Sequence, residues 1–412
     1  MDRASQAMYI VDKDRMRRMM LNSTTVSLID ACRALDAEPI ADLTLDLARI
    51  WSPPGDEVRM AERMAQEWTS VGARVHLDSE YPNSPSVVAE FGASSGPTLQ
   101  WHGHLDAVDL AHAEPAREGN RLSGRGVADM KGPLASMVAA ARLLIDRDFS
   151  RRVLVTLHGM HESGGNEPLH DLIARGIHGD AVITGELGGG QDLPIAGLGL
   201  SFWDITVPGP PSSVHEVVAT AQTIDPVEVG RLIHGELAAL RDRLAGVTAE
   251  KPLPSLFVGR FVAGDYVNRI PVRGRLSGTR RHDSAMTPTQ VEDELREIVE
   301  RVSRSTGADI SLDVVAVADS FEVDPGERLV VAMQDAHREL TGRDIPVSRS
   351  KIASNAVHFV REAGIPAVGY GPDPISNHSD FEFVDVSELA RIAAGFALAT
   401  VRYFDGEGTT SA

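Results

Sequence analysis

Apolar positions along the chain follow two different periods. Val87–Phe91, Thr98–His104, Val153–Leu157 and Ala181–Thr184 are short, largely apolar runs bounded by glycine, proline or charge, and are predicted as strands, with another at Ala73–Leu77. Between them the apolar residues recur at helical spacing. Val58, Ala61, Met64, Ala65, Trp68 and Val71 form one stripe that Gly72 closes and that Asp56 is placed to cap. Further helices are expected at 25–37, at a second segment beyond Pro39 reaching about Ile50, at Leu134–Ile145 and at Pro168–Arg175. Residues 1 to about 24 read as a polar extension. Strands alternating with helices imply an α/β fold, a mixed, mostly parallel sheet sandwiched by helices. Ligands of such sheets gather at the carboxyl ends of strands. His104, Glu162 and Glu186 fall at or just past predicted strand ends.

From about Gly197 the order changes. A strand at Leu200–Val207, a helix at Pro226–Arg243, strands near Ser255–Val262 and Arg273–Arg280, a helix at Thr289–Arg304 and a strand at Asp309–Val317 follow. That order is the split βαβ arrangement of a small ferredoxin-like α+β domain. Residues 197–317 are therefore expected to form an inserted domain, with 1–196 and 318–412 as the first domain. The first domain resumes with helices at Gly326–Leu340 and Asn355–Glu362, a strand at Ala367–Tyr370 and a closing helix at Val386–Tyr403.

Bulk composition narrows the partners. At 412 residues the chain is long enough for two domains, and 42% hydrophobic with 24% charged residues is that of a globular protein. A formal charge of −19 argues against nucleic acid or an anionic membrane, which require a basic face, and leaves metal ions and small molecules. No run approaches the about 20 apolar residues of a membrane span, and the charged stretch Asp12 to Arg18 is unlike a signal peptide. The one cysteine, Cys32, excludes an internal disulfide and points to a reduced, cytoplasmic setting. Any metal must then be held by His, Asp and Glu.

The stretch Leu99 to Gly132 carries that chemistry. On an extended strand His102, His104 and Asp106 point to one face, so an imidazole ligand has a carboxylate nearby to fix its tautomer. Asp129 lies in a glycine-rich turn ahead of a helix, where a carboxylate can bridge two metals. Further polar clusters are His158-Gly159-Met160-His161-Glu162-Ser163-Gly164-Gly165, Gly185-Glu186-Leu187, and Asn377-His378-Ser379-Asp380-Phe381-Glu382, with His215, Asn268 and Arg281 in the insert.

With these motifs the chain resembles the co-catalytic zinc hydrolase family of acetylornithine deacetylase, succinyl-diaminopimelate desuccinylase, aminoacylase and glutamate carboxypeptidase, over about residues 40 to 403. The resemblance implies one or two divalent metals, zinc with manganese or cobalt as alternatives. It makes His104 and Glu186 ligands of one metal, Glu162 and His378 ligands of the other, and Asp129 the bridge. Asp106 would orient His104, and the peptide Asp129–Met130 would be cis. His215, Asn268 and Arg281 would contact substrate, and the insert would act as a lid and form a homodimer. The activity implied is hydrolysis of a C–N amide bond in a small carboxylate-bearing substrate such as an N-acyl amino acid or small peptide.

Two departures from the family pattern stand out. The family has Glu-Glu where this chain has His161-Glu162, and the first Glu is its general base. Three roles are open to His161: the base itself, a ligand of metal or substrate, or the mark of a binding protein without turnover. The family's Gly-Gly-x-Thr-Asp-Ala is here Lys351-Ile352-Ala353-Ser354-Asn355-Ala356, which puts more bulk in the pocket. These changes motivate an alternative activity, hydrolytic deamination of an aromatic amine as in the nitroanthranilate aminohydrolase branch.

Overall fold

A computed structural model describes residues 28–188, 190–246 and 254–405. The polar extension expected at 1–24 and the start of the helix expected at 25–37 lie outside these residues; 28–33 are helical. The chain divides into two compact units. The first runs up to Ile195, takes in Val323–Ser348 and resumes from Ser354; the second comprises Ala196–Glu322 and Arg349–Ala353.

The first unit is built on six strands: β1 (Arg74–Asp78), β2 (Ser86–Phe91), β3 (Thr98–His104), β4 (Arg152–His158), β5 (Ala181–Gly188) and β6 (Ala367–Gly371). They pair in the order β1-β2-β4-β3-β5-β6. Only β2 runs against the others, so the sheet is mixed and mostly parallel. Its helices are α1 (Glu38–Ala48), α2 (Val58–Ser70), α3 (Lys131–Ile145), α4 (Glu167–Ala174), α5 (Arg328–Thr341) and α6 (Val386–Asp405).

Strand β3 lies between β4 and β5 and is buried at every position. On one face Trp101 packs edge-on between Phe91 (5.3 Å between centroids) and Phe396 of α6 (5.4 Å), and its indole N–H donates to Thr400 Oγ1 at 3.1 Å. On the other face His102 meets Phe359 at 4.8 Å. Two glycines let the turn after Asp129 seat against the sheet. A Cβ on Gly103 would lie 2.5 Å from Met130 Cε, and one on Gly185 2.7 Å from the same atom, so a side chain at either position would displace the Met130 thioether.

Three local expectations differ from the structure. Asp56 does not cap α2; the N-cap position is Glu57, which makes no side-chain cap. The buried Glu57 carboxylate instead accepts from Gly55 N at 2.8 Å and Met160 N at 2.9 Å. β5 runs on to Gly188, because β6 continues to pair with it past an irregularity between Gly369 and Gly371; Glu186 is therefore within the strand rather than after it. The helix expected at Asn355–Glu362 is a single α-turn, Ala356–His358, followed by a wider π-turn, Phe359–Ala363. Short strands such as Ala116–Glu118 and Arg121–Ser123 have too few residues to show a period and were not predicted.

In the second unit four antiparallel strands pair in the order Ser255–Ala263, Arg273–His282, Gly199–Pro208, Ser311–Ala318. Helices Pro226–Ala245 and Pro288–Thr306 cover one face. Trp203, Ile205 and Leu276 from the sheet meet Ile233, Leu237, Leu295 and Ile298 from the helices in one core. Asp225 and Thr287 cap those helices, Thr287 in a reciprocal capping box with Gln290. Among the described residues no helix is long and apolar enough to cross a membrane.

Candidate metal centre

Loops at the carboxyl ends of β3, β4 and β5 meet two returning segments, around Asn355 and Asn377–Glu382. His104 ends β3. Its Nδ1 donates to the Asp106 backbone carbonyl at 3.0 Å and lies 3.5 Å from Asp106 Oδ1. The carbonyl is thus its nearer partner, while Asp106 Oδ2 accepts from Glu162 N at 2.7 Å and ties the β3 and β4 loops together. His104 Nε2 is 3.1 Å from Asp129 Oδ1 and 3.9 Å from Glu186 Oε1.

The second oxygen of Asp129 faces the other way. Oδ2 is 3.4 Å from His378 Nε2 and accepts from Asn377 Nδ2 at 2.9 Å. His378 Nε2 in turn lies 3.0 Å from Glu162 Oε2. The carboxylate of Asp129 is therefore split between His104 with Glu186 on one side and Glu162 with His378 on the other. All five residues expected to hold metal come together, and the Asp129–Met130 peptide is cis.

The donor set fits a cation. With its proton on Nδ1, neutral His104 turns a bare Nε2 lone pair toward two carboxylates, an arrangement that repels unless positive charge lies between them. Two imidazoles and three carboxylates suit zinc, manganese or cobalt. One candidate ligand group joins His104, Asp129 and Glu162, and another joins His104, His161 and Glu186, the ligand atoms of each lying within 4.8 Å of one another.

The same crowding appears as shifted acidities. Hydrogen bonds to Asp129 and Glu162 carry His378 up to about 10. Burial works against the charged form of His104, yet Asp106 and Asp129 raise it well above the ordinary range. Burial alone would raise the Asp106 carboxyl, but His104 and the Glu162 N–H outweigh it and hold it at about 2. Burial raises Glu186. Without metal the carboxylates hold protons on His104 and His378.

His161, at the altered position, stacks on His104 with 4.3 Å between centroids. Its Nδ1 faces two amide oxygens, Asn355 Oδ1 at 2.9 Å and Asn166 Oδ1 at 3.1 Å, and its Nε2 is 3.8 Å from Glu186 Oε1. The segments that carry these groups hold unusual backbone: Met160, Asn166, Leu187 and His378 all have positive φ between 55° and 66°. Such conformations cost about 1–3 kcal/mol each and persist where the surroundings impose them.

Three further residues shape the centre without having been singled out. Glu382 is buried; its two oxygens accept from Arg125 Nη1 (2.9 Å), Gly126 N (3.0 Å), Ala128 N (3.0 Å) and Asp129 N (3.1 Å), which fixes the turn that presents Asp129. Asn355 donates its N–H to Glu186 Oε2 at 3.1 Å. Glu57 holds the Met160 N–H ahead of His161. In a separate cluster His170 and His358 each set Nδ1 2.8 Å from an oxygen of Glu362, and hydrogen bonds account for that group.

In the second unit His215 and Asn268 meet on a two-stranded ribbon, with Asn268 Nδ2 3.1 Å from His215 Nε2. Arg281 ends a central strand; among the described residues its Nη1 is buried without a hydrogen-bond partner.

Comparison with known proteins agrees with this architecture. The family model described as peptidase family M20/M25/M40 matches residues 101–401. An Aeropyrum pernix protein named for LysW-lysine and LysW-ornithine hydrolysis is 27% identical over 356 residues, covering 86% of this chain and 93% of its own length. A succinyl-diaminopimelate desuccinylase of Methylorubrum populi is 27% identical over 365 residues, 84% of this chain and 92% of its own. The Bacillus subtilis YXEP protein, described as a dinuclear metal-binding peptidase of the M20 family, superposes with a TM-score of 0.66 at 17% identity, over 89% of this chain and 97% of that one.

Proposed function

The chain belongs to peptidase family M20/M25/M40, metal-dependent hydrolases of C–N bonds, and on that premise we propose that its substrate is a small carboxylate-bearing amide, an N-acyl amino acid or short peptide. The observation that carries the proposal is the division of Asp129 between His104 with Glu186 and Glu162 with His378, which suits a pair of divalent ions. When bound, such ions polarise a carbonyl and acidify water.

The chain's own residues do the rest. His104, Asp129 and Glu186 hold one ion; Glu162, His378 and Asp129 hold the other; zinc is the expected metal, with manganese or cobalt as substitutes. Asp106 fixes the loops that carry His104 and Glu162. His161 Nε2 takes the proton of the attacking water and returns it to the departing amine. The insert acts as a lid. Its Arg281, with a buried guanidinium nitrogen unpartnered among the described residues, receives the substrate carboxylate, and the His215–Asn268 pair receives the scissile carbonyl oxygen.

We read the insert as ferredoxin-like and assign it a second role as a homodimer contact. The sheet exposes Phe202 and Val315 paired on neighbouring strands, with Phe257 in the same row across Thr279. A cytoplasmic location accords with Cys32, which is buried and which burial pushes up to about 12, so that it stays a thiol.

The test is a mass-spectrometric turnover screen of the zinc-, manganese- and cobalt-loaded protein against N-acyl amino acids, dipeptides and substituted aminobenzoates. Release of an acyl group or amino acid is expected. Ammonia released from aromatic amines, with acyl substrates inert, would replace the amide reading by deamination. Silence across the panel with metal bound would leave a binding protein.

A further inference from the structure

The two departures from the family pattern touch each other. His161 stands where the family has its first Glu, and Asn355 stands where it has the Asp of Thr-Asp-Ala. They are 194 residues apart in sequence and 2.9 Å apart in space, from His161 Nδ1 to Asn355 Oδ1.

The direction of each hydrogen bond around them follows from one backbone group. A carbonyl oxygen can only accept. His158 Nδ1 lies 2.7 Å from the Gly159 carbonyl, so that nitrogen carries the His158 proton. His158 is fully buried, where a charged imidazole is disfavoured, so its Nε2 is bare and in need of a donor. The atom that faces it is Asn355 Nδ2, at 3.0 Å. The same amide nitrogen is 3.3 Å from Glu186 Oε1, a second acceptor. With its NH2 group committed on that side, Asn355 presents its oxygen to His161 Nδ1. Asn166 Oδ1 adds another acceptor at 3.1 Å. The His161 proton thus sits on Nδ1, and its lone pair is on Nε2, the nitrogen 3.8 Å from Glu186 Oε1.

We infer that Asn355 is a positioning residue that fixes the tautomer of His161, with the relay Gly159 carbonyl, His158, Asn355, His161 leaving Nε2 as the nitrogen available at the metal centre. Its backbone N–H holds Glu186 at the same time. An aspartate at 355 would set a carboxylate against Glu186 and offer His158 no donor. A glutamate at 161 would give the Asn355 oxygen no proton. The two departures are therefore one change, and each is useful only with the other. The inference rests on the proposed function for the use made of Nε2, whereas the tautomer is a property of the folded chain.

Long-range proton–nitrogen correlation spectra of the metal-free, nitrogen-15 histidine-labelled protein in alkaline buffer read the tautomer directly, with His161 assigned by its loss in His161→Ala. The expected result is a protonated Nδ1 and a bare Nε2 at His161 in the wild type, and a mixed tautomer in Asn355→Ala. In the metal-loaded enzyme, Asn355→Ala and Asn355→Asp should each lower kcat on the order of 10- to 100-fold with KM little changed. His161→Glu combined with Asn355→Asp should recover more activity than the two single losses predict. A wild-type proton on Nε2, a tautomer indifferent to Asn355→Ala, or strictly additive losses in the pair would each overturn the inference. A correct tautomer in a protein that turns over nothing would sink the proposed function and leave the assignment standing.

Discussion

Glu382→Gln removes one charge and almost no volume, and its consequences can be worked from the structure. The wild-type carboxylate is 1% exposed and accepts from four donors, two on each oxygen. A glutamine keeps one oxygen. Its NH2 group necessarily faces the other pair of donors, so two buried donors lose their acceptor. If the oxygen stays with Ala128 and Asp129, the abandoned donors are Gly126 N and Arg125. Arg125 cannot follow solvent outward, because its Nη2 donates to the Ser379 carbonyl at 3.0 Å and its Nε to the Leu110 carbonyl at 3.2 Å. An unmet buried donor costs about 1–3 kcal/mol, and a buried ion pair broken from one side about 3–5 kcal/mol. The two estimates share Arg125, so the larger stands for both, about 3–5 kcal/mol. At roughly 2 °C per kcal/mol for a unit of this size, the melting temperature should fall by about 6–10 °C. If the oxygen turns instead to Arg125, Asp129 N is among the losers and metal affinity should drop about 10- to 100-fold. Calorimetry of the metal-free protein and a zinc titration read the two arms. A variant that melts within a degree of wild type and binds zinc equally well would refute the claim that Glu382 holds the Asp129 turn.

Metal should compete with protons. His378 is raised to about 10 by its carboxylate neighbours, so near neutrality it is protonated in the metal-free chain, and a metal must displace that proton. Affinity should rise tenfold per pH unit for each proton displaced, and titrations in buffers of different ionisation enthalpy should show at least one proton released; none released would contradict the geometry. The sign for folding follows from the same shift. Stabilisation of the metal-free protein by His378 is complete below its unfolded value of about 6.5 and fades as pH rises toward about 10, so denaturant midpoints should fall over that interval and be restored by metal. Arg281→Ala should raise KM about 10- to 100-fold for carboxylate-bearing substrates and leave kcat nearly unchanged, consistent with loss of a charged hydrogen bond. An unchanged KM would remove Arg281 from the substrate site.

How much of this was legible in the sequence depends on how far each interaction reaches. β3, β4 and β5 were legible because a strand in the middle of a sheet is a run of buried residues with polar groups at its end, and His104 and Glu162 sit just beyond such runs. Glu186 falls within a strand that was cut short, since pairing with β6 is not written in its own residues. Glu382 was not legible. Ordinary hydrophobicity places Phe381 inside and Glu382 outside, yet Phe381 is 83% exposed and Glu382 1%. The inversion arises because the partners of Glu382 are backbone N–H groups more than 250 residues away, where any residue type offers the same donor. Asn355 escaped for the same reason. Its segment read as added bulk, and only the three-dimensional meeting with His161, His158 and Glu186 gives it a role. Asp56 read as a cap because caps are local, while the neighbouring Glu57 had been drawn into the interior by Met160 N.

The hydrogen bond from Trp101 to Thr400 joins the central strand to the last helix, and it sets an order of events during synthesis. The ribosome delivers β3, His104 and Asp129 early, and His378, Glu382 and α6 almost at the end. Until then the Trp101 face of β3 lacks the helix that covers it, the Asp129 turn lacks its acceptor, and the carboxylates lack their second imidazole. Contacts of such separation form late and at high entropic cost. A nascent chain thus offers a passing ion His104, Glu162 and Glu186 beside an Asp129 turn that nothing yet holds, and the full donor set exists only in a finished chain. Docking of α6 and completion of the metal site are accordingly one late step of maturation, and a chain arrested before residue 378 should hold metal more weakly than the finished protein.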